Sequence, residues 1–214
     1  MNPQSPIFSE EFRNEFIQLL AWRRDVRRFS TAPVEAALIE RLLDLAQLAP
    51  SVGNSQPWRW VEVSSAARRA AIRANFSAAN AKALAAQSAD RASLYASLKL
   101  QGLDNAPRHF AVFCDNATAQ GHGLGTRTMP EMLEASVCGM VNTFWLAARA
   151  HGLGVGWVSI LDPLQATQTL EVPPAWKLVA YLCVGWPIEE HLDPELVRHN
   201  WQARTRAGRQ VLAR

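Results

Sequence analysis

Ala49-Pro50-Ser51-Val52-Gly53-Asn54-Ser55-Gln56-Pro57-Trp58-Arg59 joins two elements of different period. Before it, Leu38, Ile39, Leu42, Leu43, Leu45 and Ala46 form a broad apolar stripe at helical spacing, with Glu35, Glu40, Arg41 and Asp44 mostly on the other side. Pro33 sits near the start of that helix. Pro50 stops it, because a proline pushes the preceding residue out of the helical region. After it, Trp58 to Val63 alternates as a strand does. A polar loop with one glycine, stiffened by Pro50 and Pro57, therefore hangs between a helix C-terminus and a strand.

Upstream, Trp22-Arg23-Arg24-Asp25-Val26-Arg27-Arg28 surrounds one aspartate with four arginines. Pro6 to Ala21 leads into it at roughly helical spacing, so the cluster falls at a helix end or in the loop after it. Loop and cluster together suit a ligand with a dianionic phosphate at one end and a flat, polar-edged ring at the other, and FMN makes both demands. Guanidinium groups grip phosphate oxygens bidentately and stay charged when partly buried. Gly53 lets backbone approach a planar ring closely, while Ser51, Asn54, Ser55 and Gln56 offer donors and acceptors to its edge. Asp25 offsets only one positive charge, so at least two of Arg23, Arg24 and Arg27 are expected to hold the phosphate. An Asp so placed is expected to have a lowered pKa and to be ionised near neutrality, which suits a base. From the residues alone, a structural carboxylate that separates the cations is the favoured reading.

Along the rest of the chain, Ser64 to about Leu100 is alanine-rich and helical by propensity. Within it Asn75 to Asp90 has little large apolar surface, as a lid, a helix crossing a partner subunit, or an exposed structural helix would. His109 to Asp115 has a buried-strand pattern, and Gly121, Gly123 and Gly125 mark a loop. Pro130 to about Ala150 is a strongly apolar helix, the expected central core element. Gly152-Leu153-Gly154-Val155-Gly156 then punctuates, Trp157 to Ile160 is expected as a strand, Pro163 to Leu170 as a short helix, and Lys177 to Val184 as another strand. After Pro187 the chain is polar and Arg-rich with a lone Trp201, read as disordered or as an arm on a second subunit. Strands separated by helical excursions point to an α/β or α+β sandwich with one mixed sheet.

The chain has 214 residues, 49% of them hydrophobic, enough for one core, and one domain over 1–214 is expected, with about 187–214 as a C-terminal arm. A net charge of +3 without a concentrated basic face argues against a nucleic-acid partner. No run of about 18 apolar residues occurs, and Met-Asn-Pro-Gln-Ser-Pro lacks the order of a secretory signal, so no membrane association and a cytoplasmic location are expected. Cys114, Cys138 and Cys183 each read as a small core residue, and the five histidines lack ligand spacing, so no metal is expected. Gly121-His122-Gly123-Leu124-Gly125 does not open a βαβ unit, which leaves a nicotinamide site unsupported.

Several segments carry a resemblance: Arg23-Arg24-Asp25-Val26-Arg27, Ala49-Pro50-Ser51-Val52-Gly53, Gln56-Pro57-Trp58, Leu98-Lys99-Leu100, Thr128-Met129-Pro130-Glu131 and Trp145-Leu146-Ala147-Ala148-Arg149-Ala150. The strongest is Gly154-Val155-Gly156-Trp157-Val158-Ser159-Ile160. From about Arg23 to Trp186 the chain resembles the nitroreductase-like flavoproteins, and within them the oxygen-dependent 5,6-dimethylbenzimidazole synthase subgroup. The resemblance implies an α+β sandwich, with a mixed, mainly antiparallel sheet flanked by helices. It also implies a homodimer with exchanged terminal segments and FMN at the subunit interface. The implied reaction consumes reduced FMN and O2 and yields 5,6-dimethylbenzimidazole, the lower ligand of cobalamin, with erythrose 4-phosphate. Reduced FMN would come from a separate flavin reductase.

The resemblance gives Asp25 and Ser159 the catalytic roles, Asp25 moving a proton during ribityl carbon–carbon cleavage and Ser159 hydrogen-bonding the flavin ring. It places Arg23, Arg24, Arg27, Pro50, Ser51, Val52, Gly53, Gln56 and Gly156 around the cofactor. Asn54, Thr126-Arg127, Ala135 and Asn142-Thr143 depart from the subgroup's pattern. An NAD(P)H-dependent nitroreductase or flavin reductase and a non-catalytic flavin-binding protein are the alternatives.

Overall fold

The computed structural model describes residues 5–98 and 101–214, so Lys99 and Leu100 of the quoted motif lie outside the described residues. In chain order the elements are α1 (Glu10–Trp22), α2 (Ala36–Ala46), β1 (Trp58–Glu62), α3 (Ala66–Ala85), α4 (Ala89–Ser97), α5 (Gly102–Asn105), β2 (Arg108–Asp115), α6 (Met132–Ala150), β3 (Gly154–Val158), α7 (Pro163–Leu170), β4 (Trp176–Gly185) and α8 (Glu195–Arg198).

The strands form one sheet in the order β1-β2-β4-β3, with every ladder antiparallel. Side chains alternate across a strand, so each buried strand feeds two cores. Phe110, Val112 and Cys114 of β2, with Leu182 and Val184 of β4, pack beneath α2 and α6. Ala111 and Phe113, with Tyr181 and Cys183, face the other way, toward Ile72 of α3, Leu103 of α5, and Ala166 and Leu170 of α7. This is the expected α+β sandwich. Its parallel component is a single bridge between Asp25 and Val155 at the free edge of β3.

α6 turns Val137, Met140, Val141, Phe144 and Ala148 to the sheet at intervals of three and four, and all are fully buried. Its outer face is different. Ala135, Cys138, Gly139 and Asn142 are exposed, so Cys138 is not the core residue its apolar context suggested. In α1 no residue is buried, although Phe8, Phe12, Phe16, Ile17 and Leu20 lie along or just before it.

A second correction concerns β3, which begins at Gly154 rather than after the glycine run. Extended backbone accepts glycine where another chain segment must come close, and here that segment is Asp25-Val26. A Cβ on Gly154 would lie 2.7 Å from Val26 Cγ2, and one on Gly156 would overlap the Val26 carbonyl oxygen. These glycines thus admit the arginine-rich segment, and no contact with a ring is needed to explain them.

Candidate active site

α1 ends at Trp22, and the next residues run extended between α6 and the edge of β3. On one side the Trp145 indole N–H donates to the Arg24 carbonyl at 3.2 Å. On the other, Val26 N–H donates to the Val155 carbonyl at 3.0 Å and Trp157 N–H donates to Asp25 Oδ1 at 2.9 Å. Asp25 is therefore aimed by a strand edge and by its own backbone.

The arginines of this segment diverge. Arg23 stacks over the Trp145 ring, 5.0 Å from its centroid. Arg24 donates through Nε and Nη2 to the Leu192 carbonyl, the Nε contact at 2.8 Å. Arg27 lies beside Asp25, with Nε 3.5 Å from Oδ2. Arg28 pairs with Glu189 and, at 3.1 Å, with Glu195. Arg149 adds a pair with Glu190. Residues 187–201 are thereby fastened to the arginine cluster of their own chain.

Asp25 and Arg27 open into a cavity of about 480 Å³, whose wall also holds Trp157, Val158, Ser159 and Ile160 from the end of β3. The structure so brings together the two residues expected to be catalytic. Pairing with β4 ends at Val158, and Ser159 follows it, exposed. Asn75, 1% exposed, fixes this stretch: its Nδ2 donates to the Asp162 carbonyl at 2.9 Å and its Oδ1 accepts from Asp162 N–H at 2.8 Å. The opposite wall comes from Phe76 and Asn80 of α3, Tyr95 and Ala96 of α4, and Leu196 and Trp201. Of these, Trp201 stood out in the sequence as a lone aromatic in a polar tail, and Phe76 and Asn80 fall in the Asn75–Asp90 stretch for which a lid was one reading.

The charge state of Asp25 also differs from the expectation. Four arginines nearby in sequence suggested a lowered pKa, but three of them point elsewhere. Removal from bulk water raises it, against the opposing pull of the Trp157 N–H and Arg27, and Glu195 raises it further. Its carboxylate stays open to the cavity while protein surrounds it on the other sides. A carboxyl group so placed can both accept and release a proton nearer neutrality.

The Ala49–Arg59 loop sits at the other end of α6. Val52 N–H donates to Ser136 Oγ at 3.0 Å, whereas Arg24 is held by Trp145, so about 13 Å of helix separates the two anchors. Ser51 Oγ accepts from Gln56 N–H at 3.0 Å, and Gln120 Nε2 donates to the Asn54 carbonyl at 2.8 Å and to Gln56 Oε1 at 3.1 Å. Gly53 has φ +57°, and a Cβ there would meet the carbonyl of Leu124 at 2.9 Å. Its need for glycine thus comes from the 119–129 loop interlocked with it. Pro50, Ser51, Val52, Gly53 and Gln56 do not reach the Asp25 cavity of the same chain. Asn54 adopts φ +53°, a conformation asparagine tolerates better than apolar residues do. Ala135 and Asn142 fall on the exposed face of α6.

A family model described as the nitroreductase family matches residues 20–186. The chain belongs to the nitroreductase family. It is 56% identical over 199 residues to 5,6-dimethylbenzimidazole synthase of Rhodospirillum rubrum, covering 93% of this chain and 94% of the relative. It is 47% identical to the protein of the same name from Rhodobacter capsulatus, covering 91% and 94%. Among solved structures, an iodotyrosine deiodinase bound to FMN and 3-iodo-L-tyrosine superposes with TM-score 0.72 at 21% identity, over 92% of this chain and 97% of that one. A nitroreductase-like protein from Bacillus cereus superposes with TM-score 0.65 at 19% identity, over 99% and 98%.

The cavity residues of this nitroreductase-family chain fit FMN. A volume of about 480 Å³ lies in the range of small-molecule sites. Aromatic walls from Trp157, Tyr95, Phe76 and Trp201 suit a flat ring, and Arg27, Asp25 and Ser159 supply edge contacts of both polarities. Among the described residues no group of three metal-ligating side chains occurs, and no helix is long and apolar enough to cross a membrane.

Proposed function

We propose that the chain makes 5,6-dimethylbenzimidazole, the lower ligand of cobalamin, by oxygen-dependent fragmentation of reduced FMN, with erythrose 4-phosphate as co-product. The observation that carries this reading is the 56% identity to a 5,6-dimethylbenzimidazole synthase along nearly the whole of both chains. The meeting of Asp25 and Ser159 in one cavity supports it.

Bound reduced flavin would supply both the electrons for O2 and the carbon atoms of the product. The chain's own residues do the rest. Asp25 holds or moves a proton at its carboxylate, steadied by the Trp157 N–H and Arg27. The Ser159 hydroxyl would be free to donate to the edge of a bound ring, and the aromatic wall of Phe76, Tyr95, Trp157 and Trp201 would keep water from it. For the phosphate, Arg27 is the arginine of the cluster that lines the cavity, and Arg24 beside it is the second candidate. Burial, then Arg204 and Arg23, lower its pKa, and an anion beside these crowded cations would relieve their repulsion. No carrier of electrons is built into this reading, so a separate flavin reductase delivers the reduced flavin.

One domain over 1–214 is read as half of a homodimer that exchanges terminal segments, α1 at one end and the chain beyond residue 201 at the other, since residues 187–201 stay on their own chain. The exposed Phe12, Phe16, Ile17 and Leu20 of α1 support the exchange, since an amphipathic helix without a buried residue needs another surface. The dimer would also set the Ser51–Gln56 loop of one chain beside the Asp25 cavity of the other, which α6 prevents within one chain. The test is to mix the purified protein with chemically reduced FMN in air and analyse products by mass spectrometry. 5,6-Dimethylbenzimidazole is expected. Quantitative recovery of oxidised FMN overturns the reading, and steady NAD(P)H oxidation with intact FMN would point to a conventional reductase.

A further inference from the structure

α4 forms part of the cavity wall, yet none of its residues is buried. Burial in a core therefore does not hold it, and three polar and aromatic contacts tie it to the rest of the chain. The Tyr95 hydroxyl donates to Asn80 Oδ1 of α3 at 2.9 Å. Trp201 meets Tyr95 edge-on, with ring centroids 6.0 Å apart, and the Arg91 guanidinium lies over the Trp201 ring, 5.0 Å from its centroid. Trp201 thus touches α4 on successive turns of one face, since residues 91 and 95 are four apart.

Trp201 is itself well anchored. Its N–H donates to the Leu196 carbonyl at 2.8 Å, which folds 196–201 into a compact turn after α8. Glu195, at the start of that turn, has a side chain only 9% exposed and pairs with Arg28. Arg24 holds the Leu192 carbonyl just before it. The five residues from Arg24 to Arg28 therefore carry Asp25 into the cavity and also fasten the segment that braces the opposite wall.

We propose that Glu195–Trp201 is a clasp from the cavity's own chain, and that Trp201 is the positioning residue that keeps α4 closed over the cavity containing Asp25 and Ser159. Its bearing on FMN rests on the flavin reading above, whereas its bearing on α4 does not. Without the indole, Tyr95 loses its aromatic neighbour and Arg91 its ring, and α4 keeps only the Tyr95–Asn80 hydrogen bond among these contacts. The two lost contacts correspond to about a tenfold shift of α4 toward open states. The core beneath both faces of the sheet is untouched.

The test compares the full-length protein with its Trp201→Ala and Trp201→Phe variants. Amide hydrogen exchange, read by mass spectrometry without added flavin, should be about tenfold faster over residues 89–97 in Trp201→Ala and unchanged over α2. Trp201→Phe should restore most of the protection, because it keeps an aromatic ring between Arg91 and Tyr95. Unaltered exchange over 89–97 in Trp201→Ala overturns the clasp, and so does an equal rise over α2, which would mean general loosening. Release of oxidised FMN, followed by its fluorescence, should accelerate by a similar factor. If wild-type protein binds no FMN, the flavin reading fails while the exchange measurement still decides the clasp.

Discussion

Gly156→Ala tests how Asp25 is placed. The new Cβ would overlap the backbone carbonyl of Val26, so the arginine-rich segment would have to move away from β3 by about 1 Å. That movement strains or breaks the Val26-to-Val155 hydrogen bond and the Trp157-to-Asp25 hydrogen bond, 3.0 and 2.9 Å in the native fold. Overpacking costs about 1–3 kcal/mol and each lost hydrogen bond about 1 kcal/mol, for a total of about 3–5 kcal/mol. At about 2–4 °C per kcal/mol for a chain of this size, Tm should fall by about 6–20 °C. Gly154→Ala gives a sharper contrast, because the three atoms nearest its Cβ all belong to the Val26 side chain, with Cγ2 at 2.7 Å. Val26→Ala should therefore rescue part of the Gly154→Ala loss but none of the Gly156→Ala loss, a coupling of about 0.5–3 kcal/mol read from two double-mutant cycles. Gly208→Ala, with nothing within 4 Å of its Cβ, serves as the control. Thermal unfolding of all six variants is the assay. A Gly156→Ala protein melting within about 2 °C of wild type, or rescued equally by Val26→Ala, would refute the reasoning.

Two titrations should act in opposite directions. Burial raises the Asp25 pKa above its ordinary 3.8, so the folded state holds that proton longer than the unfolded one and Asp25 costs stability as pH rises through the folded pKa. Asp25→Asn should therefore gain Tm relative to wild type on going from about pH 4 to about pH 7, and a pH-independent difference would show that burial does not shift the group. Burial pushes His109 down to about 4, with Arg69 adding to the effect, so the unfolded state takes that proton first and stability is lost as pH falls from about 6.5 to about 4. Urea unfolding should show a loss of about 3 kcal/mol over that window, absent in His109→Gln once its own pH-independent cost is subtracted. Cys138, exposed on α6, should react with a thiol reagent in dilute native protein, while Cys114 and Cys183, buried and with thiols pushed up in pKa, react only on unfolding. If copies meet across the outer face of α6, that reaction should slow as protein concentration rises. A rate independent of concentration would count against this mode of pairing.

The regular elements were legible because each has one dominant signal. α2 lies between Pro33 and Pro50, and α7 covers Pro163–Leu170 as expected, with Asp162 capping it through hydrogen bonds from Leu164 and Gln165 N–H. The almost continuous apolar run in β2 reports two buried faces at once. Misreadings arose where a residue answers to a neighbour distant in sequence. Gly154 and Gly156 look like breakers locally, yet they are strand residues thinned to admit Val26. Cys138 sits among core residues in sequence but on the outer face of their helix. Glu195 and Trp201 looked like parts of a polar tail, because the arginines and the helix that hold them lie about 170 and 110 residues upstream.

The same long-range logic changes what the arginine cluster means. Four cations around an aspartate suggested one anion gripped by several arginines and a carboxylate held ionised by them. In the fold Arg23 goes to an indole and Arg28 to two glutamates, while Arg24 also braces a loop carbonyl. Only Arg27 stays beside Asp25. The cluster works chiefly as a hub that ties α6, the edge of β3 and the C-terminal segment to one short stretch of chain. That use of the arginines is what leaves Asp25 short of positive charge. Desolvation can then dominate its pKa, and a group expected to be a plain anion becomes one able to carry a proton. Replacing Glu195 by Gln should, on this argument, disturb Asp25 in two ways: by loosening Arg28 and by removing a negative charge that raises the Asp25 pKa. The second effect predicts that the stability difference between wild type and Asp25→Asn becomes less dependent on pH in the Glu195→Gln background. An unchanged dependence would mean that Glu195 only anchors the C-terminal segment.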